Sequence, residues 1–378
     1  MRKVIVSLIV MFGLGVGAGA ALALPMDPSF AVMTQNLYLG ADLAPMFTAP
    51  PAQIPFAAGA VFGMVHATDF PSRAKALANE IAAKQPLLIG VQEAELWRTG
   101  PPDSITPNPT PATNVVFDYK QLLLSELAAR GLMYGPVAEV TNTDVELPAV
   151  TLQGLTDLRI TDRALILART DLPASTLTLS NPQGGNFATS LPVPVGGQVI
   201  PILRGWASVD VELAGQPFRF VTTHLESLFD PVGIVQGQEL LAGPLNTSLP
   251  VILVGDINSD AAAGGIAYGN FVQAGLKDGW LLGGGGSGFT CCQAENLLNL
   301  PSDLDQRIDT ILFKGPFHVM GAETVGDMPG DRTPSGLWPS DHAGVVLAMN
   351  IPAPPSAILL LIGLVSVAGA ARVRRRLQ

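Results

Sequence analysis

Val251-Ile-Leu-Val-Gly-Asp-Ile-Asn258 runs an aliphatic stretch straight into Gly255, Asp256 and Asn258. Four apolar residues in a row describe a strand buried on both faces. The packing of such a strand has no use for a carboxylate and a carboxamide at its tip, whereas a reactive site does. The same design recurs along the chain. AVMTQN ends at Asn36, LLIGVQE at Glu93 and FRFVTTH at His224; RIDTILF places Asp309 at a strand start, and SDHAGVVLAM places Asp341 and His342 just before another strand. Strands that each deliver one or two polar groups predict a single site assembled from across the chain.

Between these motifs the pattern alternates short apolar strands with helical stretches and long loops. SRAKALANEIAAK, residues 72–84, spaces Leu77 and Ile81 four apart and predicts a helix, as does YKQLLLSELAAR, residues 119–130, with Gly131 as its C-cap. Strands are expected at 164–169, 206–213, 218–223 and 251–255. Three stretches read as loops: the proline-rich 99–113, the Pro/Gly-punctuated 181–201 and the glycine-rich 283–288. Loops of that length are functional or disordered; a place around the rim of the site is the simplest expectation, with disorder an equal alternative for the first.

Both ends read as addresses. Residues 1–23 carry Arg2 and Lys3, an apolar run and the small-x-small step Ala21-Leu22-Ala23, a secretory signal pattern, with an uncleaved anchor as the plain alternative. Residues 351–378 hold a Pro-rich spacer, an apolar run from Ala357 to Ala371, and Arg372, Arg374, Arg375 and Arg376. The run is short of the ~20 residues a membrane helix needs, and the basic tail is expected on the cytoplasmic side. Its order resembles the PEP-CTERM class of bacterial surface-sorting signals, with Pro352-Ala353-Pro354 where Pro-Glu-Pro is usual; an ordinary tail anchor is the alternative. Either implies export to the cell surface or beyond, a membrane contact through this segment and, for a sorting signal, dedicated machinery. Residues 24–350 are then the catalytic domain, expected to be monomeric.

Removing the ends sharpens the charge. The chain has 21 Lys and Arg against 31 Asp and Glu, and six of the basic residues but none of the acidic ones lie in the end segments, so residues 24–350 have a net charge of −16. Such a surface repels polyanions and argues against tight, sequence-indifferent binding of nucleic acid, without excluding a nuclease that works through local contacts and a metal. The two cysteines, Cys291 and Cys292, are adjacent. They form a strained vicinal disulfide or remain small buried residues; with no Cys or His nearby in sequence, zinc is not indicated.

Asn36, Glu93, Asp256, Asn258 and Asp341 are hard oxygen donors, suited to Mg²⁺, with Mn²⁺ or Ca²⁺ as alternatives. Two of the four histidines, His224 and His342, sit in the strand-end motifs. Histidine with carboxylates and a hard cation is equipment for phosphoester hydrolysis. Each group alone has a plainer use: Asn36, Asp256 and Asn258 as turn formers, Glu93 as a helix start, His224 as a satisfied structural histidine, Asp341 as an N-cap.

Taken together and in order, the motifs resemble those of the endonuclease/exonuclease/phosphatase superfamily, which includes DNase I-like nucleases, neutral sphingomyelinases and inositol-polyphosphate phosphatases. Gln35-Asn36, Val91-Gln92-Glu93, Thr223-His224-Leu225, Gly255-Asp256-Ile257-Asn258, Arg307-Ile308-Asp309 and Ser340-Asp341-His342 follow that family's sequence of motifs from Ala31 to Met349. The resemblance implies a DNase I-like α/β (α+β) four-layer sandwich, two stacked mixed β-sheets flanked by helices, with the site at one end. It also implies roles. Glu93 is the main metal ligand, with Asn36 and Asp341 completing or steering its water shell. Asp256 orients or deprotonates the attacking water, Asn258 holds the phosphoryl group, and Asp309 fixes the tautomer of His342. His224 stabilises the transition state or protonates the leaving oxygen; which histidine is acid and which base stays open. Arg163 and Arg204 are candidate phosphate contacts, with surface ion pairs as the alternative.

One departure is Thr310, where an aromatic is frequent; it is expected to alter packing rather than chemistry. A Lys/Arg-plus-aromatic stripe for nucleic acid is missing. The expected function is therefore an exported Mg²⁺-dependent phosphoesterase, foremost a phosphodiesterase, acting on a lipid headgroup, nucleic acid or a small phosphoester. A surface structural protein on a degenerate phosphatase-like fold is the non-enzymatic alternative; retention of every expected polar group argues against it.

Overall fold

Alternation along the apolar strands sends successive side chains to opposite faces of a sheet, and each face here has its own core. The structure is a computed structural model and describes residues 28–352. The N-terminal signal pattern, the apolar C-terminal run and the Arg-rich tail lie outside the described residues. Among the described residues no helix is long and apolar enough to cross a membrane.

In chain order the strands begin with β1 (Ser29–Asn36), β2 (Leu88–Gln92), β3 (Leu96–Gly100), β4 (Asn114–Asp118), β5 (Tyr134–Thr151) and β6 (Gly154–Arg169). Next come β7 (Leu177–Asn186), β8 (Leu191–Val195), β9 (Gln198–Ile202), β10 (Gly205–Leu213), β11 (Gln216–His224) and β12 (Val251–Asp256). The last four are β13 (Lys277–Asp278), β14 (Asp309–Lys314), β15 (His318–Val325) and β16 (Gly344–Asn350). The helices are α1 (Ala44–Thr48), α2 (Ile54–Ala67), α3 (Phe70–Lys84), α4 (Tyr119–Ala129), α5 (Asp230–Ala242), α6 (Ile266–Gln273) and α7 (Gly279–Gly283).

One sheet has eight strands in the order β15-β16-β1-β2-β6-β3-β4, with β5 also paired to β6; a second has six, in the order β13-β14-β12-β11-β10-β7. Both are mixed, since β1–β2 and β11–β12 are parallel and their neighbours antiparallel. Val32, Leu88, Ile166 and Leu347 of the first sheet pack on Phe220, Ile252, Val254 and Ile311 of the second, forming the central core. The alternate residues Met33, Ile89 and Leu165 face outward into a core shared with Phe62, Leu77 and Leu123 of α2, α3 and α4. On the far side Val221, Leu253 and Leu312 pack on Leu240 of α5 and Phe271 of α6. Helix, sheet, sheet and helix make the expected four layers, and strands buried on both faces explain the unbroken apolar runs.

Glycine sets the distance between the sheets at Gly90. A Cβ there would lie 2.3 Å from Val254 Cγ2 and 2.5 Å from Thr222 Oγ1. Both expected helices form. Asp69 caps α3 by accepting from Ser72 N–H, and α4 ends in a Schellman motif, with Leu132 N–H on Leu127 O and Gly131 N–H on Ala128 O.

Two of the expected loops differ from expectation. Residues 181–201 hold the end of β7 and the β8–β9 hairpin, whose alternate Val193 and Val195 are buried in the outer core. The prolines of β8 and β9 sit in a two-stranded sheet, where every strand is an edge and a missing donor is tolerated. The loop at 99–113 is tied down: Asp157 accepts from Asp103 N–H at 2.7 Å and from Ser104 N–H at 2.6 Å, and Glu146 accepts from Ala112 N–H at 3.0 Å.

Candidate active site

The sheet registers bring the polar strand ends together. His224 pairs with Asp256, and Asp256 with Asp309, so β11, β12 and the start of β14 present their polar residues in one row. In the facing sheet β1 ends at Asn36 beside the end of β2, and β16 begins just after His342.

Asn36 joins the two sheets. Its Nδ2 donates to Glu93 Oε1 at 3.2 Å and to Asp256 Oδ2 at 3.1 Å, while its Oδ1 accepts the Tyr38 N–H at 2.9 Å. Glu93 opens no helix; it holds a left-handed backbone (φ 53°) between β2 and β3, a strained choice for a residue with a Cβ. Its Oε2 accepts the Leu39 N–H at 2.5 Å. Asp256 Oδ1 accepts the Asn258 N–H at 2.9 Å, and Asn258, also left-handed, donates from Nδ2 to Leu225 O at 2.9 Å.

The two imidazoles converge on Asp256: His224 Nε2 is 3.5 Å and His342 Nε2 3.9 Å from the same Oδ2. On the other side of its ring, His342 Nδ1 lies 2.7 Å from Asp309 Oδ2. Asp341 Oδ1 is 3.9 Å from His342 Nε2. Ser340 Oγ fastens this loop, donating to Asn36 O at 2.8 Å and accepting from His342 N–H at 3.1 Å.

Burial and charge drive the two histidines apart. Burial, then Arg204, then His342 hold His224 well below the usual imidazole range, so it is neutral. Arg204 Nη1 is 3.1 Å from His224 Nδ1. A guanidinium can only donate, so Nδ1 accepts and the ring proton sits on Nε2, toward Asp256. Burial also pushes His342 down, but Asp309, Asp341 and Asp256 more than offset it and hold the ring well above its usual value. Burial, then Asp309, pushes Asp256 up to about 6; burial, then Asp341, pushes Glu93 up to about 7.

All the expected residues but one gather here. Arg163 does not: its guanidinium donates to Ala94 O at 2.7 Å, Glu95 O at 3.2 Å and Asp118 Oδ1 at 2.6 Å. It clamps the β2–β3 turn and is a structural residue, since neighbours in a strand point to opposite faces and it is Asp162 that faces the cavity. Arg204 does line the site, between His224 and Asp162, whose Oδ2 is 3.4 Å from Nη1.

Several groups escaped the sequence reading. Glu95 and Asp162 line the same cavity, and burial, then Asp162, holds the Glu95 carboxyl well above its usual range. Arg73, fully buried, donates to Leu37 O at 2.6 Å, Tyr38 O at 3.1 Å and Pro339 O at 3.1 Å, binding the loop after Asn36 to the loop before Asp341. The cysteine pair is near histidine in space although not in sequence: its sulfurs and a His342 ring nitrogen lie within 4.8 Å of one another. The two sulfurs are paired with each other. Asp256, Asp309 and His342 form a second such group of potential ligands.

No family model matches the sequence, and no curated protein matches it. Solved structures do. An endonuclease/exonuclease/phosphatase family protein from Leptotrichia buccalis C-1013-b aligns over 85% of this chain and 100% of its own, at 16% identity and a TM-score of 0.52. One from Bacteroides thetaiotaomicron aligns over 87% and 100%, at 16% identity and a TM-score of 0.53. A mannosyl-6-phosphatase of B. thetaiotaomicron VPI-5482 aligns over 85% and 99%, at 18% identity and a TM-score of 0.50. Two mixed sheets with flanking helices, covering essentially the whole length of these proteins, give the chain the DNase I-like fold of the endonuclease/exonuclease/phosphatase family.

Proposed function

We propose that the protein is an exported, divalent-metal-dependent phosphoester hydrolase acting foremost on phosphodiesters. The observation that carries this reading is the convergence of His224 and His342 on one oxygen of Asp256, with Asp309 behind the second imidazole. These residues are scattered along the chain, and no packing requirement collects two imidazoles and four acidic side chains at the neighbouring ends of strands from two sheets. Export rests on the signal pattern at 1–23.

The donor set fits a hard divalent ion, for which Mg²⁺ is the first choice and Mn²⁺ or Ca²⁺ the alternatives. Glu93 and Asp341 line one cavity, burial raises both carboxyls, and the charge of Asp341 pushes Glu93 up further. Glu93 would be the main ligand, with Asn36 and Asp341 beside it. When bound, the ion would neutralise phosphoryl charge.

Asp256 would orient the attacking water and take its proton. The water oxygen bonds to phosphorus as the bond to the leaving oxygen breaks; the leaving oxygen takes its proton from solvent, and Asp256 returns to solvent the proton it took from water. Neutral His224, with its proton on Nε2, donates a hydrogen bond to a phosphoryl oxygen. Charged His342, held by Asp309, stabilises the developing negative charge. Asn258 offers the second hydrogen of its amide to the phosphoryl group.

Hydrolysis by the purified protein should be measured on bis(p-nitrophenyl) phosphate, sphingomyelin and plasmid DNA, with Mg²⁺ and with EDTA. Turnover with Mg²⁺ that is lost in EDTA and in Asp256→Ala and His342→Ala is expected. Failure on every substrate, or turnover indifferent to both substitutions, refutes the hydrolase.

A further inference from the structure

A cavity of about 590 Å³ opens directly off the strand-end site, within the size range of ligand pockets, ~300–1,000 Å³. Its charged lining is Glu93, Glu95, Asp162, Asp341 and Arg204, with Asp42 and Glu295. The apolar part of the wall comes from seven elements, among them Met46 of α1, Val61 of α2, Trp97 of β3, Leu147 of β5, Ile160 of β6 and Ile202 of β9. A solvated entry for nucleic acid would need cations and stacking surfaces along its length. Arg204 is the only Lys or Arg in the lining, and it is occupied by His224 and Asp162.

We infer that this cavity takes an alkyl chain esterified to the phosphate, so that the preferred substrates are amphiphilic phosphoesters. The inference rests on the hydrolase reading for its chemistry. The wall is chiefly aliphatic, which suits a flexible chain over a sugar or a base. At roughly 30 Å³ per water-sized group the space holds on the order of 20 of them, more than a methyl or ethyl ester would fill. The cavity also meets the phosphate position: Glu93 and Asp341 belong at once to its lining and to the proposed metal end. The far wall is made by α1, α2 and the β8–β9 hairpin, where α1 packs against β8 and Gly196 approaches Ile54.

The test is a series of p-nitrophenyl alkyl phosphodiesters, from methyl through butyl to octyl, assayed with Mg²⁺ below their aggregation limit. Burial of each methylene is worth about fourfold in kcat/KM; allowing for imperfect packing, octyl should exceed methyl by at least ~30-fold. Leu147→Trp fills the cavity and should reduce the octyl-to-methyl ratio at least ~10-fold, with Ile202→Phe as a second variant if the first fails to fold. Calorimetric binding of octylphosphonate and methylphosphonate to the wild-type protein gives a readout free of turnover. Tighter binding of the octyl compound, lost on filling the cavity, supports the inference even if no ester is cleaved. Equal affinity for the two phosphonates, or kcat/KM flat with chain length, overturns it while leaving the hydrolase standing. Absence of any hydrolysis overturns the hydrolase alone.

Discussion

His342 Nδ1 and Asp309 Oδ2 lie 2.7 Å apart with both residues buried, so Asp309 accepts the Nδ1–H hydrogen bond and leaves Nε2 facing Asp256. The bond exists because Asp309 is the first residue of β14, opposite Asp256 in the register. Asp309→Asn replaces an anion by a neutral amide that no longer stabilises the imidazolium and can turn its NH2 toward the ring. We expect kcat to fall about 10- to 100-fold, as for other residues that orient a reacting histidine. Removing the anion also lowers the raised pKa of His342, so the limb of the pH–rate profile that reports this ring moves to lower pH. A kcat within twofold of wild type, with an unmoved profile, refutes the positioning role.

The strand-end residues were legible because each breaks a local rule: a polar group where a buried strand ends has no packing explanation. Arg73 breaks the same rule and was missed. It lies four residues before Leu77 on the apolar stripe of α3, and a basic residue there signals buried acceptors. The cavity was illegible for a different reason. Its far wall includes α2, a helix apolar on most of its surface, and β8–β9, whose prolines imitate a loop. Arg163 differs from the expected phosphate contact because its place next to Asp162 in β6 puts it on the opposite face of the strand.

Arg163 and Arg204 should therefore separate in their effects. Arg163→Ala removes the guanidinium donors from Ala94 O, Glu95 O and Asp118, of which Glu95 O keeps the Tyr119 N–H and Asp118 the Gln121 N–H, and should lower stability by roughly 1–3 kcal/mol, read as a fall in Tm with kcat of the folded protein little changed. Arg204→Ala also costs stability, because Asp162 and Glu226 lose their cation, but it frees the His224 ring to adopt either tautomer and should lower kcat of the folded protein about 10- to 100-fold. The reverse pattern would return the phosphate contact to Arg163.

Glu80 supplies a pH dependence remote from the site. It is buried on α3, and neither carboxylate oxygen has a hydrogen-bond partner. Burial first, then Asp331 and Asp327, hold its carboxyl well above the ordinary value. The folded protein thus binds this proton more tightly than the unfolded chain. Its contribution is fully present below the unfolded pKa of ~4.3 and is lost as pH rises toward the folded pKa. Glu80→Gln keeps the shape without the charge, and should stabilise by about 1–3 kcal/mol near neutral pH. Denaturant titrations between acidic and neutral pH should show a flatter stability profile for the variant; parallel profiles would refute the assignment.

Glu93 ties the metal to the same bookkeeping. With no cation beside it, its carboxyl is pushed up to about 7 by burial and Asp341, so the metal-free fold loses stability as pH rises from ~4.3 through that value. A divalent ion binds the ionised carboxylate, and its stabilising effect should therefore grow across the same interval. At 100 times its dissociation constant, Mg²⁺ should add about 2.7 kcal/mol. Thermal scans with and without Mg²⁺ at acidic and neutral pH measure this directly, and EDTA should reverse the gain. Glu93→Gln should be more stable than wild type without metal and respond little to Mg²⁺. A Mg²⁺ response equal in wild type and Glu93→Gln would place the ion elsewhere.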